Sequence, residues 1–253
     1  MNKHQIKRAL KKKFKSFFGV REITVINEAV HLEKEVIFIA IPKTGTTSLR
    51  TQLKQAGKPL IRNPHLNINQ IRDAIYFFLL KEALGVNISF PNANHPSDDE
   101  LRQKAEKIFH SFFKFSAVRN PWARAVSLYY RREGVSLEGP QISDRMGFES
   151  FCENHIYASD TCRQPTLHKN QIDWLLSPQG DMLMDYVYKL EDFDQAIEDI
   201  KNLTDGRLIL DNVERNVNQN SKSRDYRQLY NDHSRKIIQK RFEKDIDYFK
   251  YTF

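Results

Sequence analysis

The chain has 253 residues, 40% hydrophobic and 28% charged, the balance of an ordinary globular protein with enough apolar side chain for a real core. Its formal net charge of +8 favours anionic partners such as nucleotides, acidic glycans or anionic lipid, without choosing among them. Two cysteines, Cys152 and Cys162, exclude a disulfide framework, and no Cys/His cluster has zinc spacing. The longest apolar runs, 36–41 and 74–80, fall short of the roughly 20 residues of a membrane span.

In chain order, residues 6–18 predict an amphipathic helix: Ile6, Leu10, Phe14, Phe17 and Phe18 recur at helical spacing with lysines between them. Residues 1–18 stay lysine-rich, so no secretory signal is expected there. Either this helix docks on the body by its aromatic side, or it makes peripheral contact with an anionic membrane. Residues 35–41 form a nearly continuous β-branched and aromatic run, the pattern of a strand buried on both faces in a parallel sheet. Pro42 stops it, and a helix from Thr46 or Thr47 through Ala56 follows, with Gly57 as the end signal. Residues 68–84 are helical and apolar on most sides. Ser97 to Glu100 has capping-box spacing before another helix. Residues 112–118 predict the second main strand. Asn120 and Pro121 are an N-cap and first-turn pair for a helix to about Arg132. Residues 148–157 and 171–176 read as helical, and 186–190 as a third strand before a helix over about 192–203. Residues 212–223 are polar and irregular, and 224–247 read as two helices. Alternating strands and helices predict an α/β, three-layer fold with a mostly parallel central sheet flanked by helices. Residues 1–30 form a basic amino-terminal segment, and 31–253 form one domain with a helical insertion at about 68–93.

Between the first strand and its helix lies Ile41-Pro42-Lys43-Thr44-Gly45-Thr46-Thr47-Ser48. Unpaired amides at a helix start face an anion, and Gly45 lets the backbone wrap closely around it. Thr46, Thr47 and Ser48 add hydroxyl donors, and Lys43 adds a full positive charge. The lysine precedes the glycine, so this is not a Walker A loop. The second strand ends at Arg119, whose planar fork can hold a phosphate in two places. Ser127 lies seven residues beyond Asn120, nearly two helical turns, so it returns to the face of the helix start roughly 10 Å along the axis. Together Arg119 and Ser127 suit one phosphate gripped from two directions.

The order Pro42-Lys43-Thr44-Gly45-Thr46-Thr47-Ser48 resembles the 5′-phosphosulfate loop of sulfotransferases that use 3′-phosphoadenosine 5′-phosphosulfate (PAPS). It is most similar to the carbohydrate type, the broad family that includes heparan and chondroitin sulfotransferases and many bacterial members. The stretch from Phe113 to Ser127 resembles the same family's 3′-phosphate motif, with Arg119 and Ser127 at its binding positions. Later landmarks of the family are matched by 171–175, 186–191 and 245–253. The resemblance implies a P-loop-like sulfotransferase fold, PAPS as co-substrate without a metal, and a carbohydrate or glycolipid acceptor. It places Pro42 to Ser48, Arg119 and Ser127 around the donor, with Lys43 also catalytic, and no nucleic acid as partner. In the polar loop before the last helices, Asn218, Ser221 and Lys222 are expected to contact the adenosine or the 3′-phosphate. The simplest setting is a bacterial cytoplasmic enzyme, at the inner membrane surface if residues 1–18 bind there.

The acceptor hydroxyl needs a base, and histidine can serve near neutral pH. His95, 24 residues before Arg119 and in a segment resembling the family's histidine segment, is favoured over His65, which comes too early. Two other readings remain. One is a nucleotide-dependent kinase using the same cradle. The other is a non-catalytic binder of acidic glycan or nucleic acid, whose affinity salt should abolish.

Overall fold

A computed structural model describes residues 24–84, 97–133, 144–156, 169–211 and 225–253. The expectations for residues 1–18, His95, Asn218, Ser221 and Lys222 lie outside the described residues. The chain enters through β1 (Thr24–Val25), β2 (Val30–His31) and β3 (Val36–Ile39), then α1 (Thr46–Gln52), β4 (Lys58–Pro59), α2 (Ile68–Leu84) and α3 (Asp98–Ser111). It continues through β5 (Phe113–Val118), α4 (Pro121–Glu133), α5 (Asp144–Phe151) and a π-helical turn (Cys152–Ile156). It closes with β6 (Tyr186–Lys189), α6 (Phe193–Leu203), α7 (Asp232–Arg241) and α8 (Glu243–Phe249).

The central sheet has strand order β2-β3-β5-β6. β3, β5 and β6 pair in parallel, and β2 lies antiparallel on the edge. β1 and β4 pair in a separate parallel ribbon. The three expected strands are therefore the parallel core of the sheet. The two-residue strands carry too little sequence to show a period.

Every side chain of β3 is removed from solvent, and successive ones enter opposite cores. Ile37, Ile39 and Ile41 pack in a cluster with residues of α2, α3, α4 and α7. Val36, Phe38 and Ala40 pack in a second one with Leu49 of α1, Leu53, and Ala196 and Ile200 of α6. Helices thus cover both faces of a mixed α/β sheet, three layers in all. Burying each such Ile or Phe contributes about 1.5–3 kcal/mol, which makes the middle strands the anchor for what lies at their ends.

Two helix boundaries differ from expectation for local reasons. α1 stops at Gln52 rather than Ala56, because Leu53 is the last side chain that reaches the second core. Beyond it the Gln55 amide donates to the Val30 carbonyl at 2.7 Å and turns the chain toward β4. Residues 171–176 make only a single 3-10 turn (Ile172–Trp174), because the Asp245 carboxylate accepts from the Gln171 and Ile172 amides at 2.7 and 2.9 Å. Other signals hold. Ser97 and Glu100 form the reciprocal capping box of α3. The Asn120 Oδ1 accepts from the Trp122 amide at 3.0 Å to start α4. Among the described residues no helix is long and apolar enough to cross a membrane.

Candidate functional site

β3 and β5 are neighbours, with Ile39 opposite Ser116, so the segments that follow them open at one edge of the sheet. After β3 the backbone turns sharply: Lys43 has φ 71° and Gly45 φ 73°. A left-handed lysine costs roughly 1–2 kcal/mol, so the surroundings must impose it. Three donors do. The Thr44 hydroxyl donates to the Ile41 carbonyl at 3.0 Å. Arg124 Nε donates to the Pro42 carbonyl at 3.1 Å, and Arg119 Nη1 to the Lys43 carbonyl at 3.4 Å. Gly45 is required on two counts, since a Cβ there would lie 2.6 Å from Leu190 Cδ1 in addition to the positive φ. Pro42, Thr44 and Thr46 are buried, Lys43 and Ser48 half-buried, and Thr47 exposed. The Thr44 side chain thus braces the loop from inside, and its hydroxyl points back at the strand.

Arg119 is fixed at its backbone. Its amide donates to Gln171 Oε1 at 2.9 Å, and Gln171 Nε2 donates back to its carbonyl at 2.8 Å. Gln171 is in turn held by the buried carboxylate of Asp245. The next residue, Asn120, is locked through its amide to Glu191 Oε1 at 2.8 Å and through Nδ2 to the Thr252 carbonyl at 2.8 Å. The residue keeps part of its surface open to solvent, while the guanidinium itself is largely enclosed. Burial pushes its pKa below the ordinary arginine value, and the nearby Glu191 carboxylate pulls it back up. Ser127 sits half-buried on α4, two turns in.

His65 reaches the chain just before the loop. Its Nδ1 donates to the Ala40 carbonyl at 2.7 Å, three residues before Lys43. A carbonyl only accepts, so the neutral ring carries its proton on Nδ1 and its lone pair on Nε2. Its backbone is clamped by the Asn63 side chain, and the Asn63 carbonyl accepts from buried Asn27 at 2.7 Å. The structure therefore brings Lys43, Arg119 and His65 to one strand end.

Among the described residues, Glu149, Glu153 and His233 place ligand atoms within 4.8 Å of one another and form a group able to hold a metal ion. They stand on α5, the π-helical turn and α7, none of which carries Lys43 or Arg119.

The family model described as "Sulfotransferase family" matches residues 29–252. The chain belongs to the Sulfotransferase family. Neither the curated proteins nor the solved structures compared with it gave a match. The matched span contains the loop of Lys43, the Arg119 strand end, Gln171, Glu191 and Asp245.

Sequence reasoning about this sulfotransferase-family chain missed the supports. Arg124 is 1% exposed, and its pKa is pushed down to about 10 by burial, against the pull of Asp245. Asp245 is itself raised by burial, against the two amides and the Arg124 charge. Residues 124, 171 and 245 are far apart in sequence; the resemblance marks the segments of Gln171 and Asp245 without giving their role, and the general expectation that a buried charge has a partner is the other hint at such a set.

Proposed function

We propose that the chain transfers the sulfuryl group of PAPS to a hydroxyl of a carbohydrate or glycolipid, releasing adenosine 3′,5′-bisphosphate. The observation that carries this reading is the Arg119 guanidinium resting on the carbonyl of Lys43. Lys43 and Arg119, at adjacent strand ends, are thereby close enough to serve one small polyanionic nucleotide. Lys43 and the loop amides take the 5′-phosphosulfate end, and Arg119 with Ser127 takes the 3′-phosphate. Family membership supports the transferase class, and the order of the two segments supports PAPS as donor.

Sulfuryl transfer resembles phosphoryl transfer, with a loose, in-line transition state governed by positioning and charge. The acceptor oxygen bonds to sulfur as the bond from sulfur to the bridging oxygen breaks, and that electron pair leaves on the 5′-phosphate. Lys43 donates to this oxygen as charge builds on it. The hydroxyl proton goes to the lone pair on His65 Nε2. What supports His65 in this role is the bond from its Nδ1 to the Ala40 carbonyl, which makes Nε2 the basic nitrogen and ties the ring to the start of the loop.

The test is transfer of labelled sulfate from PAPS to a panel of oligosaccharides and glycolipids. The expected result is a sulfate ester and one bisphosphate per turnover. Turnover of ATP in place of PAPS would replace this reading with that of a kinase.

A further inference from the structure

Arg124 is a fully buried cation with a specific reach. It stands one turn into α4, where its amide donates to the Asn120 carbonyl at 2.8 Å. From there Nε donates to the Pro42 carbonyl and Nη1 to the Lys169 carbonyl, both at 3.1 Å. Its guanidinium carbon lies 5.6 Å over the Phe242 ring, and the buried Asp245 carboxylate acts on it electrostatically. Taking a guanidinium out of water costs several kcal/mol, which makes it an expensive way to hold two carbonyls for stability alone.

Its position explains what the cost secures. A peptide unit is planar and trans, so its C=O and N–H point in opposite directions. Arg124 holds the Pro42 carbonyl, which turns the Lys43 amide hydrogen away from α4. Arg119 holds the Lys43 carbonyl, which turns the Thr44 amide hydrogen away from Arg119. The left-handed φ of 71° at Lys43 lets these two successive carbonyls face the two arginines. The paired amides then form one side of an anion-binding concavity.

We infer that Arg124 is a positioning residue for the phosphosulfate loop, aiming the Lys43 and Thr44 amides at the 5′-phosphate end of the donor. This rests on the functional reading above. It assigns the two arginines different work: Arg119 meets the 3′-phosphate directly besides steadying the loop, and Arg124 acts only through the loop. Lysine cannot replace Arg124, because a single ammonium lacks the fork that spans the Pro42 and Lys169 carbonyls.

The test is calorimetric titration of the full chain with adenosine 3′,5′-bisphosphate and with adenosine 3′-monophosphate, which lacks the 5′-phosphate. Arg124→Lys and Arg124→Gln should weaken the bisphosphate about 10-fold or more. They should leave the 3′-monophosphate within about 2-fold of the unsubstituted chain, because Arg119 still holds it. Equal weakening of both ligands, or of neither, would overturn the inference. So would failure of both variants to fold in a thermal melt, which would assign Arg124 to the fold alone. An unsubstituted chain that binds neither nucleotide would instead remove the functional reading, an outcome distinct from the others.

Discussion

β5 carries a basic side chain at each end, and the two are treated in opposite ways. Lys114, at its start, is 6% exposed. Its Nζ lies 3.0 Å from Asp185 Oδ2 and donates to the carbonyls of Phe112 and Phe109 at 2.7 and 3.3 Å. Arg119, just past the end, is half-buried, and its recorded guanidinium bond is a long one, 3.4 Å, to a loop carbonyl. The cation at the start of the strand meets a carboxylate and carbonyls at short range, and its work is finished inside the protein. At the far end the backbone is clamped tightly by Gln171 while the guanidinium is held loosely. A fixed base with an adjustable head is what a binding arginine needs. On the proposed reading, the same strand carries a structural charge at its start and a ligand-binding charge just past its end.

The comparison breaks most readily at Lys43. Lys43→Ala should lower kcat by about 10²–10³-fold in the sulfate-transfer assay, the magnitude for losing one donor to developing charge. Lys114→Met should leave kcat within about 2-fold. Equal losses from the two would erase the distinction. His65→Ala should lower kcat by about 10²-fold while leaving bisphosphate affinity unchanged in a titration, as expected for a base that touches only the acceptor. Unchanged turnover would return the role to another group.

Stability gives the mirror image. Lys114→Met should cost roughly 1–3 kcal/mol in denaturant unfolding, since two carbonyls lose their donor. Gly45→Ala should cost roughly 1–2 kcal/mol for the left-handed backbone alone, and more if Leu190 cannot move. The smallest effect belongs to a surface pair. Arg72 holds Glu106 between α2 and α3 with two bonds of 2.7 Å, and both side chains are about 40% exposed. Glu106→Gln should cost only about 0–1 kcal/mol. The Arg72 guanidinium holds the Glu106 carboxyl below its usual range, so its contribution is present above the ordinary glutamate pKa. It is lost as pH falls through the lowered value, and Glu106→Gln should remove that acid-side slope.

What could be read in the sequence follows the same division. The parallel strands were legible because Val36 to Ile39 is a continuous β-branched and aromatic run of the kind a doubly covered strand carries, and because strand and helix segments alternate after it. The loop of Lys43 and the arginine of residue 119 were legible because their chemistry is local to each strand end. The left-handed backbone at Lys43 was not, since a lysine gives no local sign of it. Nor were the roles of Arg124 and Gln171, which lie 121 and 74 positions before the buried Asp245 carboxylate that acts on both. The sequence favours His95 over His65, and His95 lies outside the described residues. The tie of His65 to Ala40 is a contact between segments 25 residues apart that spacing could not reveal.

The most direct measurement is calorimetric titration of adenosine 3′,5′-bisphosphate at moderate salt into the unsubstituted chain, Lys43→Ala and Arg119→Ala. A shared nucleotide site predicts saturable binding that each substitution weakens by about 10-fold or more, with Lys114→Met as an unaffected control. Binding indifferent to both substitutions, or one that disappears with added salt as general basicity would, contradicts the account.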